Sequence, residues 1–140
     1  MMKTALILGG TGTIGHQLCK RLKKEGYWVR VVDRKPPEFS VSTADEMFLY
    51  DLRQPTNVAR SFKGPDQRPF DYVFMLAAEM GGALYVFSGE SDSEIVYNSS
   101  LMNLFVVKIA ANYGVGKLFF QEGFPISISS PLPQSSSKVL

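Results

Sequence analysis

The stretch "GGTGTIG", residues 9–15, sets Gly9, Gly12 and Gly15 at every third position between two segments of opposite character. Before it, "KTALIL" (3–8) is a short apolar run of the kind buried on both faces of a parallel sheet. After it, Ile14, Leu18 and Leu22 recur at helical spacing. Lys20, Arg21, Lys23 and Lys24 fall on the other face, and Gly26 stands where a helix would stop. Strand, glycine turn and amphipathic helix lead into "YWVRVVD" (27–33), a second strand. Together they make one βαβ unit, whose crossover is expected to be right-handed.

The glycine spacing carries a mechanism. Gly9 turns the chain sharply out of the strand, Gly12 removes a side chain where the backbone must approach a pyrophosphate, and Gly15 lets the helix pack closely on the sheet. Phosphates would then meet backbone N–H groups and the positive end of a helix that begins at Thr13 and Ile14. Asp33 closes the second strand about twenty residues beyond Gly12, where an acid can accept hydrogen bonds from an adenosine ribose. Its charge would repel the 2′-phosphate of NADP, which favours NAD. Arg34 and Lys35 follow it directly and open a contrary reading in which they hold that phosphate; a solvated strand end is the third account. For the glycine run itself, the alternative to a binding site is a plain tight turn.

The rhythm continues with "EMFLYD" (46–51) as a third strand, a helical stretch near residues 55–62, "DYVFMLAA" (71–78) as a fourth strand and "KLFF" (117–120) as a fifth. Residues 91–112 form the longest helical pattern, with Ser91 and Glu94 as a capping box and Gly114 as a stop. Its apolar residues cover more than one stripe, so it expects neighbours on two sides. The fold class is α/β: a Rossmann-type doubly wound parallel sheet of about five strands in the order 3-2-1-4-5, occupying residues 1–120. Residues 121–140, with six serines and three prolines and no period, read as an irregular tail.

"YGVGK" (113–117) spaces a tyrosine and a lysine as a proton-moving pair would. Keeping both Gly114 and Gly116 in a helix would cost roughly 1 kcal/mol each relative to Ala. The stretch is therefore expected to be a helix-to-strand turn, and no catalytic residue is assigned.

At 140 residues the chain is one domain by length. A net charge of +2 is too small to argue for a nucleic-acid partner. The single Cys19 leaves no disulfide and no cysteine metal site, and fits a reducing compartment. The N-terminal apolar run is too short for a signal peptide or a membrane span. A cytoplasmic protein without metal, membrane or nucleic acid is the expectation.

With these residues in place, the chain resembles the N-terminal half of the extended short-chain dehydrogenase/reductases, the NAD-dependent sugar-nucleotide epimerases and dehydratases. "LGGTGTIGHQL" resembles that family's glycine turn, with Leu8 where a threonine is usual. "YDLR" (50–53) resembles its Asp-Leu step, which implies Asp51 and Leu52 beside the adenine; the other reading has Asp51 capping the turn after its strand. "LAA" (76–78) implies that Leu76, Ala77 and Ala78 line the cofactor. "LAAEMGG" (76–82) and the asparagine-bearing helix after it are similar to the GDP-mannose epimerase branch. That similarity implies Met80, Gly81 and Gly82 at the substrate and Asn98 facing the catalytic region. A surface turn and a satisfied core amide are the respective alternatives.

The resemblance covers roughly residues 3 to 120. The family's hydroxyl-bearing segment after the fifth strand, and the Tyr-x-x-x-Lys pair on a later helix, have no match in residues 121–140. The resemblance thus implies the NAD-binding portion of such a protein, not catalytically complete as given. A nucleotide-sugar would be the ligand of the completed protein, and self-association or a partner chain would use helix 91–112. A non-catalytic nucleotide-sensing or interaction module is the alternative.

Overall fold

The computed structural model describes residues 2–37, 41–77, 92–120 and 125–127, with only the backbone course for 92–101 and 125–127. The elements run β1 (Thr4–Leu8), α1 (Thr13–Lys24), β2 (Trp28–Asp33), β3 (Glu46–Leu49), α2 (Pro55–Ser61), β4 (Tyr72–Met75), α3 (Asp92–Tyr113), β5 (Lys117–Phe120) and β6 (Pro125–Ser127), with a short 3₁₀ turn at Pro65–Gln67. They form one sheet in the order β3-β2-β1-β4-β5-β6. The first five strands are parallel, so their carboxyl ends share one edge.

Alternation along the strands feeds two cores, which is what a sheet covered on both faces requires. Ala5, Ile7, Val29 and Val31 pack with Cys19 and Leu22 of α1 on one face. Leu6, Leu8, Val32, Val73, Met75 and Leu118 point the other way, against Val58 and Phe62 of α2 and Met102, Val106 and Ala110 of α3. The three buried α3 residues lie one turn apart and make one stripe. Leu104, off that stripe, is 65% exposed.

β2 carries a charged residue into this buried setting. Arg30 is 5% exposed and sits against the rings of Trp28, Phe48 and Phe70. Its guanidinium donates to Glu46, its register partner on β3, and to the carbonyls of Ser61 and Lys63 at the end of α2. Donors on all three guanidinium nitrogens are thus redirected from water to the protein, the condition for burying a charge.

Two expectations are corrected. Residues 125–127 lie in the stretch read as an irregular tail, yet they form β6, antiparallel to β5, with Phe119 opposite Pro125. An edge position tolerates a proline because its missing N–H faces no further strand. The third and fourth strands, Glu46–Leu49 and Tyr72–Met75, are also shorter than the apolar runs suggested, although the Tyr50 and Leu76 amides still donate to the Asp33 and Leu8 carbonyls at 2.9 and 2.8 Å. The capping box at Ser91 and Glu94 lies outside the residues whose side chains are described.

The pentapeptide 113–117 is a helix-to-strand turn. Gly114 ends α3 with φ +74°, Tyr113 packs against Phe62 at 6.3 Å, and the Lys117 N–H donates to the Asp71 carbonyl at 3.0 Å. Lys117 begins β5, so the pair sits at the amino edge of the sheet.

Candidate functional site

At the carboxyl edge, the loops after β1, β2, β3 and β4 enclose a cleft of about 470 Å³, a volume within the range of small-molecule sites. Its floor is the glycine turn. Gly9 leaves β1 with φ +88°, and a Cβ there would fall onto the Ala77 backbone, with Ala77 Cα at 2.6 Å. A Cβ on Gly15 would meet the Gly10 carbonyl carbon at 2.7 Å. Both positions are glycine because the protein itself leaves no room.

Gly12 is different. It is the N-cap of α1 with φ −78° and ψ −176°, a conformation open to any residue, and a Cβ there would meet no atom of the described residues within 4 Å. No side chain caps this helix start and no acid lies in its first turn. The amide end of α1 at Thr13, Ile14 and Gly15 therefore opens on the cleft with no capping side chain from the described residues, an arrangement suited to a phosphate.

Asp33 lies beyond the turn at the end of β2. Its Oδ2 accepts from the Thr11 hydroxyl at 2.7 Å and the Thr11 amide at 3.1 Å. Its Oδ1 accepts from the amides of Arg34 and Lys35 at 2.7 and 3.4 Å. Arg34 and Lys35 both line the cleft beside it.

On the third wall, Asp51 accepts from Arg53 Nε at 3.0 Å and Nη2 at 2.8 Å, and from the Arg53 amide at 3.0 Å. The Arg53 side-chain hydrogen bond is the main cause that holds the Asp51 carboxyl below the usual range, with the Arg53 amide and the Arg53 and Arg34 charges adding to it against partial burial. The amide bond to a residue two positions on is how an aspartate caps a turn. That reading of Asp51 now has its geometry.

Twelve of the residues singled out in the sequence meet in this cleft: Gly9, Gly12, Thr13, Ile14, Gly15, Asp33, Arg34, Lys35, Asp51, Leu52, Leu76 and Ala77. Leu52, 4% exposed, borders the cleft and also belongs to the core under α2. Asn98 lies on α3 four residues before Met102, which does line the cleft, but its side chain is outside the described residues. Ala78, Met80, Gly81 and Gly82 are outside them too. The sequence reading passed over Thr11, Tyr50, Arg53 and Met102 as site residues. Three of these four sit inside motifs already quoted, where position after a strand was the available signal.

The family model of NAD dependent epimerase/dehydratase proteins matches residues 5–122. The chain belongs to the NAD dependent epimerase/dehydratase family. A GDP-mannose 3,5-epimerase from Arabidopsis thaliana is 33% identical over 116 residues, which cover 81% of this chain and 29% of that protein. This epimerase-family chain therefore spans under a third of the length of that curated relative. Among solved structures, the UDP-glucose 4-epimerase of Thermotoga maritima, determined with UDP-glucose, superposes with a TM-score of 0.68 at 27% identity over 84% of this chain and 37% of its own. An epimerase from Methanothermobacter thermautotrophicus gives 0.70 at 26% identity over 85% and 34%. Among the described residues, no helix is long and apolar enough to cross a membrane, and no group of three or more His, Cys, Asp or Glu could hold a metal.

Proposed function

We propose that the chain is the NAD-binding portion of a sugar-nucleotide epimerase or dehydratase. Gly12 carries the proposal. The fold would accept a side chain there, so the glycine answers to something outside the protein, and a pyrophosphate approaching the amide end of α1 is what the surrounding charge pattern suits. In this reading Gly9, Thr13, Ile14 and Gly15 frame the pyrophosphate, and Asp33 and Arg34 lie at the adenosine ribose. Asp51 and Leu52 flank the adenine, while Leu76, Ala77, Ala78 and Asn98 run toward the nicotinamide. Met80, Gly81 and Gly82 would meet the nucleotide-sugar. Bound NAD supplies a hydride acceptor; the chain's own residues bind and orient it. The similarity to a GDP-mannose 3,5-epimerase and a UDP-glucose 4-epimerase supports this substrate class.

Calorimetric titration with NAD and NADP tests the proposal. Saturable binding of a dinucleotide is expected, and no binding of either would sink it. Among the described residues the Tyr-x-x-x-Lys spacing occurs at Tyr113 and Lys117, which lie at the far edge of the sheet from the cleft. That placement supports a second reading, a non-catalytic nucleotide-sensing module. Nucleotide binding without turnover of any nucleotide-sugar by this chain would favour it; NADH formation or epimer exchange would exclude it.

The proposal extends to assembly and location. Leu104 on α3 is exposed among half-buried neighbours, which fits self-association or a partner chain along this helix. Light scattering that finds a monomer at high concentration, alone and in cell extract, would count against it. The buried thiol of Cys19 fits the reducing cytoplasm, and recovery of the protein from a secreted fraction would contradict that.

A further inference from the structure

The Asp33 carboxylate has more donors from its own chain than a ribose-binding acid has room for. An ionised carboxylate offers about four acceptor directions. Here the Thr11 hydroxyl and amide occupy Oδ2, and the Arg34 and Lys35 amides occupy Oδ1. The four bonds are unequal. The Lys35 bond, at 3.4 Å, lies beyond the normal range for N–H···O, so one ribose hydroxyl can replace it at little cost. A ribose diol brings two hydroxyls, and the second has to displace a donor to Oδ2. The Thr11 amide is built into the glycine turn. The hydroxyl is the group able to rotate, and doing so gives up a 2.7 Å charge-assisted bond in a position only 6% exposed.

We infer that Thr11 is a specificity-determining residue of this cleft: its hydroxyl competes with the adenosine ribose diol for Asp33 and erodes the preference for NAD over NADP. The inference rests on the dinucleotide reading of the site. A 2′-phosphorylated ribose has one hydroxyl left to offer Asp33, which the weak Oδ1 position can take, so the Thr11 bond survives. Its phosphate comes beside Arg34 and Lys35, which line the cleft at that point. The Thr11 hydroxyl therefore weakens NAD binding and leaves NADP binding alone.

The experiment is calorimetric titration of the chain and its Thr11→Val, Thr11→Ala and Thr11→Ser variants with NAD and with NADP. The unaltered chain should bind the two within about tenfold of each other. Thr11→Val should tighten NAD about tenfold, the low end for one hydrogen bond to a charged group, and change NADP less than about threefold. Thr11→Ala removes the same hydroxyl with less bulk and should give the same shift if the valine variant folds poorly. Thr11→Ser keeps the hydroxyl and should keep the original ratio. Thermal melts supply an independent readout: the valine variant should unfold at lower temperature when unliganded and be raised further by NAD than the parent. An unchanged NAD-to-NADP ratio in both hydroxyl-free variants, or an equal shift in the serine variant, overturns the inference with the dinucleotide reading intact. Failure of the unaltered chain to bind either nucleotide overturns both.

Discussion

Replacing Gly12 by alanine should separate binding from folding. The native φ and ψ accept any residue, and the added Cβ would meet no atom of the described residues within 4 Å. At an N-cap, alanine is worse than glycine by some tenths of a kcal/mol up to about 1. Restricting the unfolded chain returns about 0.4–1 kcal/mol. The two nearly cancel, so the variant should unfold within about 1 kcal/mol of the parent in urea. Binding should respond quite differently. A methyl group between the turn and a pyrophosphate holds the phosphates away from at least two backbone N–H donors, each worth about 1.5 kcal/mol to a charged acceptor. A loss of about 3 kcal/mol is on the order of a hundredfold in Kd, which calorimetry with NAD resolves. Gly9→Ala is the control of opposite sign. There the left-handed φ costs roughly 1–2 kcal/mol, and overlap with the Ala77 backbone adds about 1–3 kcal/mol. That variant should lose stability first. If Gly12→Ala binds NAD within about threefold of the parent, or loses as much stability as Gly9→Ala, the account of the glycine turn is wrong.

Other perturbations probe other parts of the molecule. Arg30→Met should cost about 2–4 kcal/mol in urea unfolding, because it strands the Ser61 and Lys63 carbonyls. Arg30→Lys should recover only part of this, since one ammonium cannot span donors that a guanidinium fork reaches; full recovery would refute that reading. Asp51→Asn should change the pH dependence. The folded carboxyl is depressed by Arg53, so its contribution is present above the ordinary value near 3.8 and is lost as pH falls through the lowered one. With the Asp51 side chain 35% exposed, screening keeps that contribution below about 1 kcal/mol. The variant's stability should fall less steeply than the parent's below about pH 4, and parallel profiles would rule the effect out. Tyr113→Phe and Lys117→Ala should leave dinucleotide binding within about twofold of the parent; loss of binding in either would bring the pair back to the cleft.

What the sequence showed clearly was whatever short-range chemistry decides. β5 is the quoted "KLFF" run, because Gly116 bounds it on one side and its apolar residues must be buried. The glycine turn was legible for the same reason: Gly9 and Gly15 are forced by contacts within the turn or directly beneath it. Long-range partners were not legible. Nothing around "VRV" in β2 announces that Phe48, Ser61, Lys63 and Phe70 will converge to accommodate a buried guanidinium. Leu52 borders the cleft as its place after a strand suggested, but nothing in "YDLR" announces that it also packs into the core under α2. β6 was hidden by its setting. Ile126 and Ile128 alternate with serines, but so short an alternation among prolines and serines carries little weight against composition.

Thr11, which was passed over, and the 113–117 pair, which was set aside as a turn, are explained by the same topology. In a parallel sheet every segment that follows a strand arrives at one edge, and every segment that precedes a strand departs from the other. The cleft is built from residues 9–15, 33–35, 50–53 and 76–77, which follow β1, β2, β3 and β4 in turn. Thr11 belongs to that set by position, so it deserved consideration as a contact to the acid at the next strand's end and not only as a spacer between glycines. Tyr113 precedes β5 and Lys117 begins it, so no choice of side-chain conformation brings them to the cleft. Residue spacing proposes a chemical pair, but in this fold the side of the strand on which a residue falls decides whether it can reach a ligand.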